Sequence, residues 1–264
     1  MLIVMVTTAT LAIAQAPPAT AASIQATTKW AVAYDARMCT LTRSFGTPGG
    51  VTTLMLSPHI GSSRERIVLV VPARRNRRVE RGKGTIVFAP SGTSAKFTYV
   101  IGPLPASPDQ DGVDIILEQG SVRPSLATSN EIRIEVGDLK TTLRLTAVYA
   151  ALKALTACQE NLLIGWGVDP AVLIDNTSVG GISRFFGRDS YPRSALRRRV
   201  SGDLVVVANV DAAGKPTACR TVASSKDLDL DSGTCQIVMR KITFPPSTGQ
   251  LMRYAVIGVT WVIF

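Results

Sequence analysis

The chain has 264 residues, of which 46% are apolar and 18% are charged. This composition allows one large or two modest packed domains, and it excludes a chain that is disordered over most of its length. The formal net charge of +10 favours anionic surroundings such as lipid headgroups, envelope polymers or nucleic acid.

The first 21 residues have the pattern of an export signal. Leu2 to Ala14 is an apolar run of signal-peptide length, and it is shorter than the about 20 residues that a membrane-spanning helix needs. Ala19-Thr20-Ala21 fits a small-x-small cleavage site, so we predict a cleavable signal peptide, a mature start at Ala22 and a periplasmic protein. No Lys or Arg precedes the run, so either the true start lies upstream or the amino group alone supplies the positive charge. A buried N-terminal strand and a retained inner-membrane anchor are the alternatives to a cleaved signal.

Residues 29–167 are predicted to form a β-rich domain that ends in a helix. Glu131 to Val136 shows the alternation of a half-buried strand, and many short strands with regular turns are typical of a sandwich or open barrel. Thr146 to Trp166 changes to helical spacing, and Gly165 and Gly167 indicate where that helix stops. The predicted strands are Thr40–Phe45, Thr52–Leu56, Ile67–Val71, Thr85–Phe88, Phe97–Ile101, Val113–Leu117 and Glu131–Val136, with a turn cluster at Pro103–Gly112.

Residues 168–187 have little periodicity and are predicted to be a linker, and residues 188–264 are predicted to form a small αββαβ domain. The whole chain is therefore assigned to the α+β class, with a sandwich-like first domain. The predicted elements of the second domain are a helix from Pro192 to Arg199, strands Leu204–Val210 and Pro216–Val222, a helix Leu228–Lys241 capped by Ser224 or Ser225, and a final strand Leu251–Phe264.

The chain has four cysteines: Cys39, Cys158, Cys219 and Cys235. None forms a C-x-x-C pair, and a single histidine cannot complete a typical zinc site. An oxidising compartment favours two disulfides, for which three pairings exist. Cys39–Cys158 with Cys219–Cys235 is favoured because each pair then stays within one domain, and four reduced core cysteines are the alternative.

A series of short motifs in the last 75 or so residues carries a family resemblance. These motifs are Tyr191-Pro192, Ala195, Gly202, Val210-Asp211 with Gly214, Ser224-Ser225, Leu230-Asp231, Phe244-Pro245-Pro246 and Trp261. In this order and spacing they resemble the C-terminal domain of the TonB energy-transducer family, including the cysteine pair of some exported members. Trp30, Cys39, Phe45-Gly46 and residues 157–167 resemble a region that precedes such modules in proteobacteria.

The resemblance implies a protein-binding module that engages segments of envelope proteins, such as TonB-dependent receptors, by β-strand addition. Leu251–Phe264 is the candidate edge strand, with Tyr254, Val256, Val259 and Trp261 as expected contact residues, and a central or covered strand is the alternative. The 15 prolines are scattered, so no stiff spacer of the transducer type is predicted. A retained N-terminal segment would instead favour an anchored, transducer-like role in transport.

Two arginine clusters suit phosphate or carboxylate partners, although solvated surfaces are the simpler interpretation. The first covers Arg74 to Lys83, and the second consists of Arg193, Arg197, Arg198 and Arg199. The second cluster favours an acidic protein partner. Peptidoglycan or anionic lipid headgroups, bound by a structural envelope protein, are the alternative, and nucleic acid is not expected for an exported chain.

Motifs for catalysis, cofactors or metals are not found in the sequence. His59 has no accompanying nucleophile motif, and the glycine loops of nucleotide-binding proteins are missing. Asp227 to Gly233 resembles the start of a calcium loop, but its glycine is out of register and Val238 stands where a glutamate is needed. We therefore predict a non-enzymatic periplasmic adaptor without cofactor or metal.

Overall fold

A computed structural model describes residues 23–47, 50–62, 64–75, 78–117, 120–179, 181–249 and 251–263. The predicted signal peptide lies outside these residues. The strands are β1 Gln25–Ala26, β2 Ala31–Tyr34, β3 Cys39–Thr47, β4 Gly50–Pro58, β5 Glu65–Pro72, β6 Glu80–Ala89, β7 Ser94–Leu104, β8 Ser107–Leu117, β9 Glu131–Val136, β10 Leu139–Arg144, β11 Gly202–Asp211, β12 Pro216–Ala223 and β13 Met252–Trp261. The helices are α1 Arg123–Ala127, α2 Val148–Gly165, α3 Arg193–Arg197 and α4 Leu228–Lys241.

The first ten strands form one antiparallel sheet that closes on itself. Its order is β1-β3-β4-β5-β8-β7-β6-β9-β10, with β2 added to β3. The backbone of Ile24 joins the two ends, because its N–H donates to the Thr142 carbonyl (2.7 Å) and its carbonyl accepts from Arg144 (3.0 Å). We call this closed sheet the barrel. The α+β class and the β-rich first half are thus confirmed.

One turn prediction was wrong. Pro103 to Gly112 is not a turn cluster, because β7 and β8 run through most of it and turn back only between Leu104 and Ser107. A register shift next to Pro103 accommodates its ring within the pairing. The local Gly and Pro content therefore predicted a longer loop than the short turn that connects β7 to β8.

Helix α2 packs on the barrel, mainly against β2 and β3. Its buried face includes Leu152, Leu155 and Leu162, which join the barrel core. The Cys39–Cys158 disulfide ties the helix to β3 across a Cα–Cα distance of 6.2 Å. This pair is one of the two favoured from the sequence.

The C-terminal module has a three-stranded sheet in the order β12-β11-β13, with α4 packed against β11 and β12. The second disulfide, Cys219–Cys235, joins β12 to α4 at a Cα–Cα distance of 5.5 Å. The predicted cap was wrong: Asp227 caps α4, because its side chain accepts from the backbone N–H groups of Asp229 and Leu230. Ser225 instead accepts from the N–H of Asp227.

Both faces of the central strand β11 are buried. Leu204, Val206 and Ala208 of β11 face the core under α4. Val205 and Val207 point the other way and pack against Leu163 at the end of α2 and Val168 just after it. The C-terminal module therefore packs directly against the end of α2, the helix that lies on the barrel. Within the described residues, no helix is long and apolar enough to cross a membrane.

Candidate binding edge of the C-terminal sheet

Strand β13 forms one edge of the three-stranded sheet. It pairs with β11 in antiparallel register, from Gly202 opposite Trp261 to Asp211 opposite Met252. In such a pair, alternate residues turn their backbone N–H and C=O groups away from the partner strand. The carbonyls of Tyr254 and Val256 point away from β11, because both accept hydrogen bonds from outside the sheet. Gly258 and Thr260 continue the same alternation, so their backbone groups also point away from β11. We call these four residues the outer row.

The connector, residues 168–187, covers the first half of the outer row, at Tyr254 and Val256. The N–H of Ile174 donates to the Tyr254 carbonyl at 2.8 Å, and the Asn176 side-chain amide donates to the Val256 carbonyl at 2.5 Å. Leu173 forms a parallel bridge with Tyr254. The edge strand expected from the sequence is therefore present, but about half of its outer row already has partners.

A turn of the barrel holds the connector in this position. The N–H of Asn176 donates to the Gly61 carbonyl at 2.7 Å. Gly61 has φ +76°, and a Cβ at this position would lie only 2.5 Å from the Val256 carbonyl oxygen. Glycine is thus required here both by its left-handed backbone and by the close approach to β13.

The second half of the outer row, at Gly258 and Thr260, is not covered by the connector. Gly258 and Thr260 are exposed. In the part of the chain that the structure describes, no hydrogen bond from another element reaches their outward backbone groups. Two adjoining cavities of about 530 and 320 Å³ lie beside them, and both are lined by His59, Ile60, Arg66, Val256 and Gly258. We call this space the edge cleft.

The charged side chains around the edge cleft are mostly paired with one another. Arg66 donates to both carboxylate oxygens of Asp114 at 3.1 Å. At one end, Arg37 contacts Asp203 at 2.8 Å. Glu65 is buried and lies 2.9 Å from Arg123. Burial, and then the charge of Arg66, lower the pKa of His59 below its usual value.

Residues 188–263 match a family model described as Gram-negative bacterial TonB protein C-terminal. The C-terminal module is TonB-like. The match spans less than a third of the chain, so it names this module and not the barrel. No curated protein and no solved structure gives a significant match to the chain. The family is a non-enzymatic one, and the match supports a periplasmic protein-interaction module in general terms.

The TonB-like module buries most of the side chains that were predicted to contact a partner on β13. Val256 and Val259 are buried, Tyr254 is half-buried, and Trp261 is 2% exposed. The Trp261 ring packs edge-on against Tyr191, and its N–H donates to the Thr234 hydroxyl at 2.9 Å. These side chains support the strand from within, and the surface they offer is its backbone.

The arginines of the second cluster have different surroundings. Arg198 forms ion pairs with Asp227 and with Asp229, the latter at 2.6 Å, and it lowers the pKa of both carboxyl groups. Arg193 and Arg197 are exposed and line a groove of about 510 Å³ between α3 and α4. Arg240 and Lys241 line the same groove, whereas Arg199 does not. The sequence cluster thus missed the two cations of α4, which lie more than 40 positions further along the chain.

The other candidates from the sequence have structural contacts. Arg74 of the first cluster pairs with the buried Asp111 at 3.0 Å. In the calcium-like stretch, Asp231 accepts from the Ser225 N–H and hydroxyl, while Asp227 caps α4. Among the described residues, no group of three or more His, Cys, Asp or Glu side chains is arranged to hold a metal ion.

Proposed function

We propose that the chain is a periplasmic adaptor whose TonB-like module captures an extended segment of another envelope protein by strand addition to β13. The observation that carries this proposal is the open outer row at Gly258 and Thr260, whose outward backbone donors and acceptors have no partner among the described residues and lie beside the edge cleft. Strand addition draws its affinity from such groups and makes weak demands on side chains. TonB-dependent receptors are the partner class that the family match favours.

The test uses the full-length chain in cells, with a photo-crosslinking residue in place of Thr260. Gly258→Pro removes an outward N–H that does not pair with β11, so it blocks an added strand while the β11–β13 ladder keeps its hydrogen bonds. Gly258→Ala is the matched control, because a Cβ at this position meets nothing within 4 Å. We expect capture to fall at least about tenfold in the proline variant and to persist in the alanine variant.

Equal capture by both variants would show that backbone pairing at β13 is not the binding mode. Thermal unfolding of the two variants serves as the folding check, since proline also restricts φ in the strand. Sequencing the N-terminus of this chain, recovered from the crosslinked complex, decides between the cleaved adaptor and the anchored, transducer-like alternative. The predicted signal peptide, residues 1–21, lies outside the described residues.

The groove between α3 and α4 favours a second candidate function, which is attachment to an anionic surface. Arg193, Arg197, Arg240 and Lys241 line it, and Asp229, the one carboxylate that the described residues contribute to it, is already paired with Arg198. Guanidinium groups suit the phosphates of lipid headgroups and the carboxylates of peptidoglycan. We expect sedimentation with anionic vesicles or purified sacculi that weakens steeply as salt is raised.

A charge-matched pair of double variants tests this second function. Arg193→Glu with Arg197→Glu reverses two cations of the groove, and Arg188→Glu with Arg199→Glu makes the same change in net charge outside it. Binding lost only in the first variant supports the groove. Equal loss in both would mean that net charge alone drives the association.

A further inference from the structure

The edge cleft has two walls, and only one of them belongs to the TonB-like module. The opposite wall comes from the barrel: the turn between β4 and β5 supplies His59, Ile60, Ser62 and Arg64, and β5 and β8 supply Arg66 and residues 114–117. We infer that the barrel is part of the partner-binding site, and that the cleft accepts a short, extended segment without charged side chains. This inference rests on the proposed strand addition at β13.

The connector shows how a segment docks on this edge and limits its length. Ile174 and Asn176 bond to the carbonyls at Tyr254 and Val256, in parallel to β13. A partner strand must therefore begin beyond Val256. With outward groups left at Gly258 and Thr260, about five residues of an added strand pair before β13 ends at Trp261. A longer segment has to displace the connector, which Gly61 of the barrel holds in place.

The walls of the cleft determine which side chains fit. An added strand turns alternate side chains toward its two faces. Ile116, which is 51% exposed on β8, and Ile60 offer apolar surface on the barrel wall, and Ile182 of the connector lies at the same cavity. The carboxylate of Asp114 and the guanidinium of Arg66 are paired with each other, so neither is free to balance a charge on the partner.

A charged partner side chain packed against Ile60 and Ile116, away from the rim, would consequently be desolvated without a counter-ion. Such burial is unfavourable unless the charge is paired. Arg64 is the cleft cation with no ion pair among the described residues, and it is exposed at the rim. The cleft thus selects small or apolar residues, whereas acidic partners suit the separate groove between α3 and α4. Backbone bonding comes from the TonB-like module and side-chain selection comes from the barrel.

The experiment places the photo-crosslinking residue at Ile116, at Thr260 or at Val51 of the full-length chain. Val51 is the matched control, because it is a 45% exposed apolar strand residue of the barrel at the far end of β4 from the cleft. We expect Ile116 and Thr260 to attach to the same short uncharged segment of the same protein, and Val51 to attach elsewhere or not at all. Capture through Thr260 alone would overturn the barrel's role and leave strand addition intact. Capture through neither Ile116 nor Thr260 would overturn both.

A pair of charge substitutions gives an independent readout. Ile116→Lys introduces a cation into the barrel wall directly opposite Arg66, whose carboxylate partner Asp114 is already engaged, and Val51→Lys makes the same change at a similarly exposed position outside the cleft. We expect Ile116→Lys to reduce capture through Thr260 about tenfold and Val51→Lys to leave it unchanged. Equal capture in the two variants, or a captured segment rich in charged residues, contradicts the inference.

Discussion

Arg43 is a buried charged residue whose contacts could not be predicted from the sequence alone. Arg43 lies in an alternating strand and is nevertheless buried, with its guanidinium bonded to the carbonyls of Thr28 and Thr146. It also stacks 5.1 Å from the ring of Trp30, and burial lowers its pKa. Thr146 is 103 positions away, so no local pattern announces this contact. It holds the chain just before α2, where Ala147 has a left-handed backbone (φ 55°) and the helix begins only at Val148.

His59 leads to a prediction about pH at the residue scale. Burial and the charge of Arg66, helped by that of Arg64, lower its pKa from the usual 6.5, and Asp114 and the backbone of Arg64 only partly oppose this shift. Below about pH 6.5 the unfolded chain then binds a proton that the native chain does not, so stability falls as the pH drops from the unfolded toward the folded pKa. Because His59 is the only histidine, His59→Gln should flatten this dependence.

The measurement is urea unfolding of wild type and His59→Gln at several pH values between about 5 and 8, where ordinary side chains other than histidine do not titrate. The variant should lose less stability than the wild type toward the acid end. Parallel pH profiles for the two proteins would show that His59 titrates alike in the folded and unfolded chains.

Elements were predictable where periodicity is strong, and contacts between distant elements were not. The alternation in Glu131–Val136 and the helical spacing around Leu155 placed β9 and α2 correctly. Strand β10 was missed, because its two adjacent threonines, Thr141 and Thr142, break the apolar pattern while still being buried. The connector covers β13 through a backbone hydrogen bond from Ile174 to Tyr254, which lie 80 positions apart. The types of side chain at these positions do not reveal such a backbone contact.

The disulfide between β12 and α4 supports a prediction at the element scale. Cys219 and Cys235 are 16 positions apart, and a cross-link of this loop length stabilises a native state by about 3 kcal/mol on the chain-entropy model. Replacing both by alanine should lower the free energy of unfolding by about that amount, measured in urea without reductant. Cys39–Cys158 closes a separation of 119 positions, so its removal should have a larger effect, about 4.7 kcal/mol. Equal losses for the two bonds would contradict the loop-length argument.

At the scale of the whole molecule, the barrel and the TonB-like module share an interface that the proposed function needs. The boundaries at residues 168 and 187 stay predictions, but the connector between them contacts both β13 and the turn at Gly61. Leu163 and Val168 pack against Val205 and Val207, and Arg37 contacts Asp203. The motifs of residues 191–261 predicted the module, whereas its apolar second face was visible only as the unbroken valine run of β11. A strand covered on both faces lacks alternation, and periodicity alone cannot say what covers it.

This interface predicts coupled unfolding of the two parts. Leu163 is 5% exposed and its neighbour Ile164 is 62% exposed, so Leu163→Asp places an unpaired charge in the interface while Ile164→Asp places it in solvent. Wild type and Ile164→Asp should unfold in one calorimetric transition, and Leu163→Asp in two, with the TonB-like module held by its own disulfide. The same variant should lose capture through Thr260, because separation removes one wall of the cleft, yet keep salt-sensitive binding through Arg193 and Arg197. A single transition in Leu163→Asp would contradict the role of Leu163 in coupling the two parts. Two transitions with undiminished capture would mean that the module binds its partner without the barrel beside it.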